Sequence, residues 1–285
     1  AEAGNYTPRE LTLLHPDLAK DNPVVDIAVQ RQPDTRIHFV LEDGTVAILT
    51  YEPEEELVCW SRVKTDTGTA SAIEKVVVLP GENEDKVYYH VRRTINGATK
   101  RYLEKWAMES QCEGGDVCRL ADSFKIFKDT GLTVDGFTHL AGDSGVIVWG
   151  DSGPVMNTTT DEPRLHTVDT GGTLTLLAAL TDSGMAGLPY VADYKSTKLA
   201  YAAGLGTALA QRKKLGKVAI IARNMHNKAL KIGRDTGALT RLPDFYKGKN
   251  EANTIHKSYD IDANAIRGDW DTDHRLHIRA QAPLP

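Results

Sequence analysis

Hydrophobic and polar residues alternate in short runs through the first third of the chain, the period of strands buried on one face. Residues 24–29 (VVDIAV), 36–41 (RIHFVL), 45–51 (TVAILTY) and 57–63 (LVCWSRV) form one set of four, with Glu-Asp-Gly after the second run. Residues 72–79 (AIEKVVVL), 86–94 (KVYYHVRRT) and 99–106 (TKRYLEKW) form another, joined by Pro80-Gly81-Glu82-Asn83 and by Asn96-Gly97. Asn-Gly between alternating runs is the strongest short hairpin signal, because both residues accept the positive φ of a tight turn. Each set spans about 35–40 residues, close to the length of a propeller blade.

The pattern then loosens. Residues 108–122 form a charged, Gly-rich loop, where a domain boundary is expected. Short β runs resume at SFKIF, GVIVW and GTLTLL, and residues 156–161 (MNTTTD) read as a polar turn. Residues 194–210 are the best helix candidate of the second half, although Gly204 and Gly206 interrupt it. Residues 217–223 (KVAIIAR) predict a buried strand, residues 229–233 another, and residues 275–280 (RLHIRA) a half-buried one. A strand that close to the last residue calls for a partner, which suggests a chain continuing further. The fold expected is mostly β: blade-like, β-propeller-like antiparallel hairpin repeats over residues 1–110, then a second β-rich domain over 120–285. A division of that domain near 185 stays open.

Composition supports a folded chain: 285 residues, 41% hydrophobic and 26% charged, with a net charge of −5. That balance gives no overall pull towards nucleic acid or an acidic membrane. The longest apolar run, residues 173–180, falls far short of the roughly 20 residues of a membrane helix, so no membrane segment is expected. The start, AEAGNYTPRE, lacks the basic and apolar regions of a signal peptide and reads as a cut, so a fragment of a longer protein is expected. Three cysteines, Cys59, Cys112 and Cys118, exclude a full disulfide framework. Cys112 and Cys118 bracket a short loop and could reach each other; free thiols are the plainer expectation, and a zinc site lacks its second ligand pair.

Motifs that might carry chemistry weaken on inspection. GDSG occurs at residues 142–145 and 150–153 and resembles the nucleophile loop of chymotrypsin-like proteases. No Ala-His-Cys segment precedes it, and two copies around VIVW look like turns flanking a strand. Gly204-Leu-Gly206 starts like a dinucleotide fingerprint but has Leu209 at the third glycine position. Asp269-Trp-Asp271-Thr-Asp273-His274 spaces carboxylates like a calcium loop, yet His274 stands where the loop needs Gly and Ala280 where it needs Glu. The nine histidines show no metal-ligand spacing. No catalytic, cofactor-binding or metal-binding residue is therefore expected. The one candidate set is a basic stretch of Arg212, Lys213, Lys214, Lys217, Arg223, Lys228, Lys231 and Arg234, with no acid among them. It could face DNA phosphates or an acidic neighbouring subunit, or be a solvated edge that discourages strand aggregation.

The order of landmarks resembles the tail-hub and tail-tubular (nozzle-type) proteins of short-tailed bacteriophages and prophages. Gln32-Pro33-Asp34 precedes a strand, Asp43-Gly44-Thr45 leads into Leu49-Thr50-Tyr51, and Trp60 ends the unit. Arg92-Arg93-Thr94-Ile95-Asn96-Gly97 and Tyr102-Leu103-Glu104 follow, then Lys128-Asp129-Thr130-Gly131-Leu132-Thr133, Gly171-Gly172-Thr173, Gly187-Leu188-Pro189-Tyr190 and Arg212-Lys213-Lys214. Family members usually extend further at both ends. The resemblance implies a non-enzymatic structural protein of the virion, assembled in the host bacterial cytoplasm. It would form a homo-oligomeric ring, hexameric by family resemblance, against other tail or portal subunits. DNA would be passing cargo during ejection, and no cofactor would be needed.

Two alternatives belong to other classes. A hydrolase acting on host-surface polysaccharide would need paired carboxylates in a cleft, and the adjacent Glu54, Glu55 and Glu56 look like an exposed turn. A β-scaffold binding module would expose Trp60, Trp106, Trp149 or Trp270 on one face, although each is more often core.

Overall fold

The structure, a computed structural model, describes residues 10–65 (14 and 19 excepted), 71–198 (116, 129, 130, 152 and 161 excepted), 211–242, 255–265 and 269–285. Among the described residues strands dominate, every strand pairing is antiparallel, and no sheet closes into a barrel. The chain divides into two units, Ala1–Met108 and Glu109–Pro285.

In unit 1, β1 (Val24–Gln30), β2 (Arg36–Leu41), β3 (Val46–Glu52) and β4 (Leu57–Val63) pair in sequence order as a four-stranded meander. A second, three-stranded sheet holds β5 (Ala72–Leu79), β6 (Lys86–Ile95) and β7 (Ala98–Lys105). All seven match the expected runs. The turns behave as their residues require: Asn96 and Gly97 have φ of 49° and 72° and close the two-residue hairpin between Ile95 and Ala98. Gly44, at φ 81°, lies so close to Ala72 that a Cβ would meet that residue's Cα at 2.8 Å, and its carbonyl accepts the Ile73 N–H at 3.0 Å.

Strict alternation on β6 turns Val87, Tyr89, Val91 and Arg93 inward. With Val40, Val46, Ile48 and Val76 the first three form one core shared by both sheets. Each such aliphatic contributes about 1.5–3 kcal/mol by leaving water. This core also holds polar groups, each paired. His38 is 0% exposed, its Nδ1 2.7 Å from the Tyr89 hydroxyl and its Nε2 3.3 Å from Gln30 Oε1, with Trp106 against the ring. Burial, aided by Arg36, lowers its pKa to about 4, so the ring is neutral at pH 7. Arg93 is equally hidden and donates to both Glu104 carboxylate oxygens at 2.7 and 2.8 Å.

Unit 2 contains thirteen further strands among its described residues. β8 (Asp122–Lys128), β10 (Ile147–Gly150), β11 (Gly153–Pro154) and β14 (Ser183–Leu188) make one sheet in the order β11-β10-β14-β8. β9 (Thr133–Val134), β12 (Thr167–Val168) and β13 (Leu174–Thr175) make a small second sheet. β15 (Val191–Lys195), β20 (His277–Gln281), β17 (Leu230–Gly233) and β18 (Thr240–Arg241) pair in that order, and β16 (Lys217–His226) pairs with β19 (Ile255–Ala265) as a ribbon. Trp149 is fully buried among Ile147, Met185, Cys118 and Ala282, and an adjoining cluster packs Phe127, Phe137, Leu140, Val148 and Leu174.

Two expectations need correction. Tyr194 and Lys195 lie in β15, so the proposed helix does not start there; residues 199–210, including Gly204, Gly206 and Leu209, fall outside the described residues. The run 217–223 is a strand but not a buried one: β16 has a single partner, so Val218, Ile220 and Ala222 rest on the unit's core while Ile221 stands 80% exposed. The strand near the last residue finds its partners inside the chain, β15 on one side and β17 on the other.

Candidate interaction surfaces

The anticipated basic stretch does not form one surface. Arg212 and Lys214 are exposed ahead of β16, and alternation puts Lys217 and Arg223 on that strand's outward side with Ile221. Lys213 exchanges backbone hydrogen bonds with Asp271, and its Nζ is buried. Lys228 sits in the turn after β16, its N–H 3.1 Å from His226 Nδ1. Lys231 donates to Glu162 at 2.7 Å, and Arg241 donates to the same oxygen at 2.8 Å. Arg234 meets Asp235 at 3.3 Å. Glu162, distant in the chain, and Asp235, the neighbour of Arg234, answer part of the run.

A second cation-rich surface was not foreseen. The outer side of the β5–β7 sheet follows from register: Val77 and Lys105 flank Tyr88, Lys75 and Leu103 flank His90, Leu79 pairs with Lys86, and Arg101 with Arg92. Lys75, Lys86, Arg92, Arg101 and Lys105 therefore share one side, and the residues between them on each strand point to the core. Glu74, at a register shift in β5, is the carboxylate that meets them. Its oxygens lie 2.9 Å from Arg101 Nε, 3.2 Å from Arg92 Nε and 3.2 Å from His90 Nδ1. The Arg101 hydrogen bond, chiefly, holds the Glu74 carboxyl below its ordinary range. Lys86 and Lys105 are exposed and meet no carboxylate among the described residues. Aliphatic side chains stand between the cations: Val77 is 51%, Leu79 48% and Leu103 71% exposed. The signal was present in the sequence, but only as every second residue of three strands.

The other motifs resolve into structure. Asp143 Oδ1 accepts the Gly145 N–H at 2.6 Å, and Asp151 Oδ1 accepts the Thr181 N–H and hydroxyl at 2.8 and 2.7 Å, so each GDSG supplies a turn beside β10; Ser152 lies outside the described residues. Asp271 accepts its own loop's Thr272 N–H at 2.6 Å, and Asp273 binds Arg275 and Lys198 at 2.8 and 3.5 Å. Among the described residues no three His, Cys, Asp or Glu side chains gather as metal ligands. His277 and Arg279 share Asp193 across β15 and β20.

No disulfide joins Cys59, Cys112 and Cys118; burial raises the Cys118 thiol pKa, and its Sγ lies 3.5 Å from the Cys112 carbonyl. Glu54, Glu55 and Glu56 are exposed around a 3₁₀ turn (Pro53–Glu55). Trp149 is core, Trp106 edges the core, Trp60 packs at a tilt against Phe39 and donates to the Leu11 carbonyl at 3.0 Å, and Trp270 is 63% exposed. Unit 2 also holds an open cleft of about 530 Å³ with Cys112, Glu113, Tyr190 and Arg223 at its walls. Burial, then the nearby cysteines and Asp122, raises the Tyr190 phenol pKa. No imidazole lines this cleft among the described residues to serve as a base.

No described helix is long and apolar enough to cross a membrane. No protein-family model matches the chain, and no curated protein matches it.

Proposed function

We propose that the chain is a structural, non-enzymatic subunit of a bacteriophage tail, of the hub or nozzle type, that assembles into a ring-shaped conduit for DNA in the virion. The observation that carries this reading is β1. It is the edge strand of its sheet, and Val24, Val25, Ile27 and Val29 on it are each 45–54% exposed. β5 meets this strand at Asp26, whose Oδ2 accepts the Val76 N–H at 3.0 Å, and the aliphatics left facing solvent are a liability in a monomer and an asset in a subunit meant to be covered. The family resemblance supplies the rest: order of strands and turns, ring assembly, and tail or portal subunits as neighbours.

Electron micrographs of the purified chain at high concentration test this directly. Rings with an axial opening are expected, and a field of single particles at every concentration would contradict it. A binding module for host-surface polysaccharide is the second reading. Trp270, exposed on a loop between Asp269 and Asp271, is the observation in its favour. Loss of glycan binding in Trp270→Ala would mark that reading out.

A further inference from the structure

Unit 1 is acidic, yet one side of it is basic. Residues 1–108 hold 13 Lys and Arg against 18 Asp and Glu, whereas residues 109–285 hold 21 of each, so the whole net charge of −5 lies in unit 1. Against that background the outer side of β5–β7 gathers Lys75, Lys86, Arg92, Arg101 and Lys105, and Glu74 is the one carboxylate that meets them among the described residues. Elsewhere in the same unit, residues 54–58 reverse the pattern. Glu54, Glu55 and Glu56 are exposed, and Leu57 and Val58 follow at 44% and 37% exposure on the edge strand β4.

We propose that the outer side of the β5–β7 sheet docks residues 54–58 of a second copy of this chain. The two surfaces match in charge and in apolar content. Three carboxylates meet cations of which Lys86 and Lys105 have no carboxylate of their own among the described residues, and Leu57, next to them at the start of β4, adds an apolar contact to Val77, Leu79 and Leu103. Complementary charge steers the encounter and fixes register, while the aliphatic contacts hold it. A nucleic acid fits less well. Phosphates offer nothing to cover three exposed aliphatics, and the sheet presents one aromatic, the half-buried Tyr88, where base stacking wants several. Because different patches of each copy meet, the contact is head-to-tail, and such contacts close into rings or run on as filaments. The inference rests on the reading of the chain as an assembling subunit and specifies which surfaces assemble.

Two charge-reversed chains test it: Lys86→Glu with Lys105→Glu, and Glu54→Lys with Glu55→Lys. All four side chains are exposed, so circular dichroism should report unchanged folds. In sedimentation velocity each variant alone should associate at least about ten-fold more weakly than the parent, since like charges now face each other. An equimolar mixture should recover association, because the acidic sheet of one then faces the basic turn of the other. If the parent associates and both variants still do so, the surfaces are wrong while the assembly reading stands. If the parent never associates, both fall. A mixture that stays dissociated overturns the pairing. So does a result in which Lys86→Glu with Lys105→Glu loses binding to a labelled DNA duplex while self-association is unchanged.

Discussion

Lys231, Arg234 and Arg241 of unit 2 and the cations on the β5–β7 sheet of unit 1 differ in what answers their charge. In unit 2, Glu162 takes both Lys231 and Arg241, and Asp235 takes Arg234. On the sheet, Glu74 serves Arg92 and Arg101 and leaves Lys86 and Lys105 to solvent. Beneath that same sheet the rule reverses: Arg93, facing the core, is held at both carboxylate oxygens of Glu104. Arg93, taken out of water, is answered inside the chain, whereas a cation left outside is free to be answered by another molecule.

The contrast can be broken most forcefully at the inner cation. Glu104→Ala leaves the Arg93 guanidinium 2% exposed without its carboxylate, and urea unfolding should show a loss of about 3–5 kcal/mol. Acid tests the other polar group of that core. His38 titrates near its ordinary 6.5 when unfolded and at about 4 when folded, so the unfolded chain binds the extra proton between those values. Its contribution is therefore complete above pH 6.5 and falls as pH drops towards 4, by about 3 kcal/mol in all at about 1.4 kcal/mol per pH. His38→Gln should flatten that part of the stability–pH curve in urea titrations.

A subtler change sharpens the comparison from the other side. Glu162→Gln releases Lys231 and Arg241 in unit 2; these pairs are partly exposed, so stability should fall by about 1 kcal/mol or less, while retention on a heparin column should rise. Smallest of all should be Lys86→Ala with Lys105→Ala, which removes no ion pair among the described residues and should shift stability by no more than about 0.5 kcal/mol in the same urea assay.

How far the chain could be read in advance follows the same division. Unit 1 was legible strand by strand because its hairpins are sequential, its turns carry Asp-Gly and Asn-Gly, and β-branched residues alternate with polar ones. Unit 2 was harder. β14 was missed because its sequence, SGMAGL, looks nothing like a strand. It lies between β10 and β8, where a Cβ at Gly184 would meet Phe127 Cζ at 2.6 Å and one at Gly187 would meet Ala121 Cβ at 2.8 Å. Bulky neighbours demand small residues there, and tertiary space overrides propensity. The helix expected over residues 194–210 overlaps the last two residues of β15, Tyr194 and Lys195; all five residues of that strand are exposed on an edge, with no buried alternation to mark it. Charge misled in both directions. The contiguous run at residues 212–234 is dispersed by a strand, a turn and distant carboxylates, while the sheet that gathers cations draws them from three separate strands. Only register reveals such a surface.

The account stands on self-association through charged, partly apolar sheet surfaces. Sedimentation velocity of the unaltered chain across a protein concentration series, at about 50 mM and about 500 mM salt, reaches that claim with least intervention. Concentration-dependent assembly at low salt, weakened but not abolished at high salt, is the predicted result. A monomer at every concentration, or assembly indifferent to salt, would contradict it.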